Sequence, residues 1–170
     1  MINIDKIVET LGKEHEENLL LMFEEMCQEG SLLNNHPACH KSTRIVSIYD
    51  PSLKDMWDKP WIIRHNYPAG IQCQNNEFCK KICSKICVHA EQNALASATR
   101  YFNLLQSSCF HLKFKEGKPV VSGNPSCVDC SKLLYNEQIK LMWLWQEEGW
   151  TSYSNEDFHI LTMKNLGFIQ

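Results

Sequence analysis

Apolar positions near the N-terminus recur every three or four residues: Ile4, Val8, Leu11, His15, Leu19, Met22 and Met26. That spacing places them on one face of a helix over residues 4–28, which Gly30 ends. After a loop at Asn34-Asn35-His36-Pro37 the period shortens. Thr43–Ile48 and Trp61–Arg64 read as strands, with a turn at Asp50-Pro51-Ser52 between them. Pro68-Ala69-Gly70 opens an irregular stretch, and the Cys-rich residues 71–87 read as a loop. An Ala-rich helix follows over 88–104. Cys109–Phe114 is a third strand, paired with Pro119-Val120-Val121 in a hairpin around Glu116-Gly117. Cys127–Asn136 reads as a short helix and Ile139–Trp145 as a strand buried on both faces. A last helix, Glu156–Leu166, is stopped by Gly167.

The resulting order, α-β-β-α-β-α-β-α, predicts an α/β protein. The expected architecture is a three-layer α/β/α sandwich around a central mixed sheet of about five strands. The chain's 170 residues suit a single domain over 1–170, large enough to bury a substantial core. No apolar run approaches the roughly 20 residues that span a bilayer, and the N-terminus lacks the apolar core of a signal peptide. The expectation is therefore a cytoplasmic protein with no membrane partner. Nine Cys, an odd number, then read as metal ligands and reduced core thiols rather than disulfides. Cys27 and Cys109 are assigned to the core. The formal net charge of −3 and the dispersed lysines, closest together at Lys80, Lys81 and Lys85, argue against a grip on a polynucleotide. A small nucleotide needs only a few local cations.

Two short motifs carry the chemistry. His89-Ala90-Glu91 supplies an imidazole and, two residues on, a carboxylate; Pro125-Ser126-Cys127-Val128-Asp129-Cys130 supplies two thiolates. His89, Cys127 and Cys130 are three ligands for Zn2+, leaving a fourth tetrahedral position for water. Glu91 stands beside that position as a proton carrier, the arrangement that displaces ammonia from a nucleobase. Each motif alone is weak. A second His-x-Glu, His15-Glu16-Glu17, lies in a charged stretch and reads as a solvated helix face. The conjunction is what counts. Both motifs open a helix, where exposed N–H groups and the helix dipole favour thiolate over thiol.

From Ile62 to Ile139 the chain resembles the deoxycytidylate (dCMP) deaminases of the cytidine deaminase superfamily. The resemblance rests on Cys87-Val88-His89-Ala90-Glu91-Gln92-Asn93-Ala94-Leu95, on Cys127-Val128-Asp129-Cys130-Ser131-Lys132, on Ile139-Lys140 and on Pro68-Ala69-Gly70. It implies the cytidine deaminase fold, zinc on His89, Cys127 and Cys130, and Glu91 as the proton shuttle. It also implies substrate contacts from Ala90, Asn66 and Ser126, and hydrolysis of dCMP to dUMP and ammonia. Two places depart from the family pattern. Ser126 intervenes between Pro125 and the first Cys, and Arg64-His65-Asn66 replaces a glycine-rich segment, leaving Asn66 one place out of register.

Other residues are weighed against simpler roles. Cys73, Cys79, Cys83 and Cys87 are dense enough for a second, structural zinc, or else are reduced thiols packed near the site. Cys39 and His40 could add a ligand. Arg64, His65 and Lys85 are candidates for a phosphate. Trp143, Trp145, Trp150 and Tyr153 read as packing rather than base-stacking residues, and His111 and His159 as ordinary strand and helix positions. Three functions compete: a dCMP deaminase, a deaminase of another nucleoside, base or single-stranded nucleic acid, and a non-catalytic zinc-binding module. Glu91 speaks against the last, since a structural zinc needs no acid beside it. The sequence leaves open whether the chain forms a homo-oligomer.

Overall fold

The computed structural model describes residues 3–33, 42–68, 76–78, 81 and 87–169. The N-terminal helical stretch is interrupted. Helix α1 (Asp5–Leu11) stops at Gly12, whose φ of 113° few side-chain-bearing residues adopt. A 3-10 turn (Lys13–His15) leads into α2 (Glu16–Leu33). The apolar period survives this break because the turn advances the chain by nearly the same angle. Helix α2 runs through Gly30 rather than ending there. Gly30 is buried against Phe114, and a Cβ built on it would run into that ring. Its glycine therefore serves close packing.

Strands β1 (Thr43–Tyr49) and β2 (Trp61–His65) lie where the sequence places them, and the two-residue strands β3 (Tyr67–Pro68) and β4 (Cys87–Val88) form a separate small pair. Helix α3 is Ala90–Ala98, shorter than expected: beyond its end the Asn103 N–H donates to Asp50 Oδ2, and the Ser107 hydroxyl donates to Asn103 O. Strand β5 (Ser108–Lys115) turns at Glu116-Gly117, both with positive φ, into β6 (Lys118–Val120). Then come α4 (Val128–Asn136), β7 (Leu141–Gln146), β8 (Gly149–Ser154) and α5 (Asn155–Asn165). Strand β8 went unassigned in the sequence.

The main sheet has the order β2-β1-β5-β7-β8, with β6 added at the end of β5. It is mixed. Strand β5 runs parallel to β7 and every other pair is antiparallel. Alternation along the strands divides its side chains between two cores. Ile45, Tyr49, Phe110, Leu112, Phe114 and Trp143 face α1 and α2. Val46, Ile48, Cys109, Met142 and Leu144 face α3, α4 and α5. The predicted three-layer α/β/α arrangement is thus what the chain adopts. Trp143 and Trp150 are packing residues, as expected: Phe110 stacks on Trp143 and meets Trp150 edge-on. No described helix is long and apolar enough to cross a membrane.

The two layers of helices approach the sheet differently. Helix α3 presents Ala90, Ala94 and Ala98 at four-residue intervals, all buried. Small side chains shorten the approach of helix to sheet. Glu91 and Leu95 form the neighbouring stripe, so the helix start carries a carboxylate down into the protein.

Candidate metal centre and cleft

His89 and Cys127 occupy the same structural position, the N-cap of a helix, with nearly the same extended backbone: φ −76°, ψ 153° and φ −66°, ψ 163°. An N-cap residue leaves the helical path, so its side chain points across the helix start rather than along the cylinder. Gln92 Oε1 accepts a hydrogen bond from the His89 N–H at 3.0 Å and fixes that turn. At the other helix the Cys130 N–H reaches Cys127 Sγ at 3.4 Å. Two helix starts thereby converge. His89 Nδ1 lies 3.3 Å from Cys127 Sγ and 3.2 Å from Cys130 Sγ. All three ligand atoms fall within 4.8 Å of one another.

A tetrahedral zinc with ordinary Zn–N and Zn–S bonds sets such N and S atoms about 3.6 Å apart. The observed separations need to open only slightly, and one imidazole with two thiolates is a donor set that zinc favours. The thiols already behave as a pair wanting a cation. A hydrogen bond from Cys130 draws the Cys127 thiol down to about 4; burial opposes this, and His89 assists it. The same bond, then burial, then the charge of Glu91 push the Cys130 thiol up. Cys130 S–H thus donates a hydrogen bond to the Cys127 thiolate, and a divalent ion would replace that shared proton.

Glu91 is 4% exposed, and its carboxylate lies close enough to Cys130 for its charge to push that thiol up. It opens onto a cleft of about 290 Å³ lined by His89, Ala90, Pro125, Ser126 and Cys127 together with Ser42, Arg44, Asn66 and Cys87. All the residues assigned to substrate contact, Ala90, Asn66 and Ser126, therefore border the cleft beside the metal ligands. Ser126 Oγ is buried and has no partner among the described residues. Asn66 is partly committed: its Oδ1 accepts from the Arg44 N–H at 2.7 Å, and its own N–H donates to Arg44 O.

Several expectations are corrected. Arg64 turns away from the cleft, donating to Ser97 Oγ and Ile63 O. His65 pairs with Glu29 on α2, at 2.7 Å, on the other side of the sheet. Neither is placed to meet a substrate phosphate there. His15 is not on a solvated face. It is 6% exposed, with Nδ1 2.9 Å from the Tyr49 hydroxyl, because the 3-10 turn rotates it inward. Of the proposed second zinc cluster only Cys87 is described, and it borders the cleft. Cys73, Cys79 and Cys83 lie outside the described residues, as do Cys39, His40 and Lys85.

Sequence reading missed Arg44. It lies on β1 among the cleft residues, and its Nη1 is 3.1 Å from Nε2 of the buried His111. His111 Nδ1 is in turn 3.2 Å from Ser122 Oγ. A signal did exist: strand alternation puts Arg44 on the face of Val46, and Val46 is paired with His111. It becomes readable only once the β1–β5 register is known.

The chain is similar to the dCMP deaminase from the cyanophage S-TIM5, solved in its apo form. The identity is 21% over 70% of this chain and 78% of that one, with a TM-score of 0.38. No family model and no curated protein matches the sequence.

Proposed function

We propose that this chain is a zinc-dependent deaminase that hydrolyses the exocyclic amino group of a cytosine nucleotide, with dCMP as the foremost substrate. The observation that carries the reading is Glu91: a carboxylate almost wholly buried, beside a thiol of the candidate ligand set, and open to a nucleobase-sized cleft. A purely structural metal site has no use for that group, and burying it there is costly.

His89, Cys127 and Cys130 would hold the ion. Bound zinc supplies Lewis acidity, which lowers the pKa of a water from near 16 to about 7. Glu91 accepts the water proton and delivers it to the ring nitrogen next to the amino-bearing carbon. It then helps the amine depart as ammonia, so that cytosine and water become uracil and ammonia. The Ala90 backbone and Ser126 are assigned to holding the base edge, and Asn66 to the sugar side. The net charge of −3 supports a free nucleotide over a polynucleotide.

The test is ammonia release by zinc-loaded protein from dCMP, deoxycytidine, dCTP and a cytosine-containing oligonucleotide. The expected order puts dCMP first by at least about tenfold in kcat/KM. Equal or better turnover of the nucleoside or oligonucleotide overturns the substrate assignment. No ammonia from any of the four overturns the enzyme.

A further inference from the structure

Among the described residues, the cleft contains a cation without a counter-charge. Arg44 is half-buried on β1, and among the described residues no carboxylate forms an ion pair with it. Among the described residues its side chain has one hydrogen-bond partner, Nε2 of His111. A guanidinium carries five N–H donors, so most of its donors are uncommitted. The single acceptor is also neutral. His111 is 3% exposed; burial foremost, then the charges of Arg44 and Lys113, hold its pKa down to about 3. Lys113 sits opposite Arg44 in the β1–β5 ladder and adds a second positive charge to that end of the sheet. Glu91 is the one carboxylate among the described cleft residues, and it forms no ion pair with Arg44.

The hydrogen bonds around His111 are consistent in one tautomer only. Its Nε2 lone pair accepts from Arg44 Nη1, and its Nδ1–H donates to Ser122 Oγ. Ser122 Oγ donates to the His111 carbonyl, and the Ser122 N–H donates to Trp145 O on β7 at 2.7 Å. The chain of bonds is anchored in the sheet at both ends. A half-buried cation fixed at a cleft wall, and left without its opposite charge, is an arrangement completed by an anion.

We propose that Arg44 is the anion-binding group of this cleft, taking the phosphate of a nucleotide substrate, and that His111 and Ser122 are positioning residues that aim its guanidinium. The phosphate as ligand rests on the nucleotide deaminase reading above; the anion site itself does not. Arg44 takes the part that Arg64 and His65, turned elsewhere, do not fill.

Binding can be read without turnover by using the reaction products. The dissociation constants of dUMP and deoxyuridine are measured by equilibrium dialysis on zinc-loaded wild-type protein, with inorganic phosphate as competitor. The same is done for Arg44→Gln, Arg44→Lys, His111→Leu and His111→Gln, each checked for native circular dichroism. Wild type should bind dUMP at least about tenfold tighter than deoxyuridine, and phosphate should compete. Arg44→Gln should bring the two constants together, while Arg44→Lys keeps part of the preference. His111→Leu should loosen dUMP more than deoxyuridine, and His111→Gln, which restores an acceptor near Nε2, should recover it. A preference that survives in folded Arg44→Gln, or is absent from wild type, overturns the proposal. The two readings fail separately. Ammonia release with an Arg44-independent preference removes the anion site and keeps the deaminase; an Arg44-dependent preference without ammonia release does the reverse.

Discussion

The two faces of the sheet bury comparable amounts of the protein and do different work. The face toward α1 and α2 is filled by large side chains: Phe23, Phe110, Trp143 and Trp150 pack ring against ring. Its buried histidine, His15, sets Nδ1 against the Tyr49 hydroxyl and Nε2 3.7 Å from Glu14, and burial pushes the Tyr49 pKa up to about 12. On the other face helix α3 meets the sheet through Ala90, Ala94 and Ala98, and the buried polar groups Glu91, His111 and Ser122 lie in or behind the cleft. Bulk on one side gives rigidity, each fully buried large side chain contributing about 1.5–3 kcal/mol. Small residues on the other side let a helix start come close enough for His89 and Glu91 to reach two thiols. Stability and chemistry are thereby assigned to opposite faces of one sheet.

Substitutions on each face test that division. The largest effect is expected from Cys130→Ala. Metal analysis should show zinc content falling from one ion per site to a small fraction, and ammonia release should vanish. Retained zinc would mean that the ligand set is wrong. Next is Glu91→Gln, which keeps size and removes the proton carrier. Turnover should drop about 10²–10⁴-fold while zinc content and circular dichroism stay as in wild type. On the opposite face, Trp143→Ala should cost about 3–5 kcal/mol in denaturant unfolding, yet the fraction still folded should bind zinc normally. If zinc affinity fell in step with stability, the two faces would not be independent. Gly30→Ala belongs to the same face. With the Phe114 ring in the way, it should cost about 1–3 kcal/mol and leave turnover intact.

The smallest effect concerns pH. His111 is held neutral in the fold down to about pH 3, whereas in the unfolded chain it takes up a proton near its ordinary 6.5. Between those values the unfolded state binds the extra proton. The stability that neutral His111 contributes is complete above about pH 6.5 and is lost as pH falls toward 3, with a limiting slope of about 1.4 kcal/mol per pH unit. His15 is shifted in the same direction, by burial first, so it acts with the same sign. Unfolding measured at pH 6 and pH 5 should show a shallower slope in His111→Gln than in wild type. An unchanged slope would mean that His111 is already charged in the fold, and could not accept from Arg44.

How much of this was legible depended on the range of the interactions. His89, Glu91, Cys127 and Cys130 were readable because each motif is local and the helix starts are signalled by the residues themselves. The strands at 43–49, 61–65 and 108–115 were readable from their β-branched and aromatic runs. Strand β8 was not: Gly149-Trp150-Thr151-Ser152-Tyr153-Ser154 is an edge strand with one buried anchor, and its Ser and Thr positions look like loop. The break at Gly12 was hidden because a 3-10 turn preserves the apolar rhythm on either side. Arg44 was not singled out in the sequence, and His111 was read as an ordinary strand position. They come together through cross-strand register, which no window along the chain contains.

His89 at a helix N-cap has one further consequence, for directed evolution. Judged as a cap alone, histidine is a poor occupant, and Ser, Asp or Asn would suit α3 better. Gln92, reaching back to the His89 N–H, stays useful to the helix whichever residue stands there. A library screened for heat resistance in the presence of a chelator would therefore enrich replacements at position 89. Survivors would be hardier and inert. The same library screened with zinc supplied would hold the histidine in place, because only then does the ring repay the helix for a weaker cap.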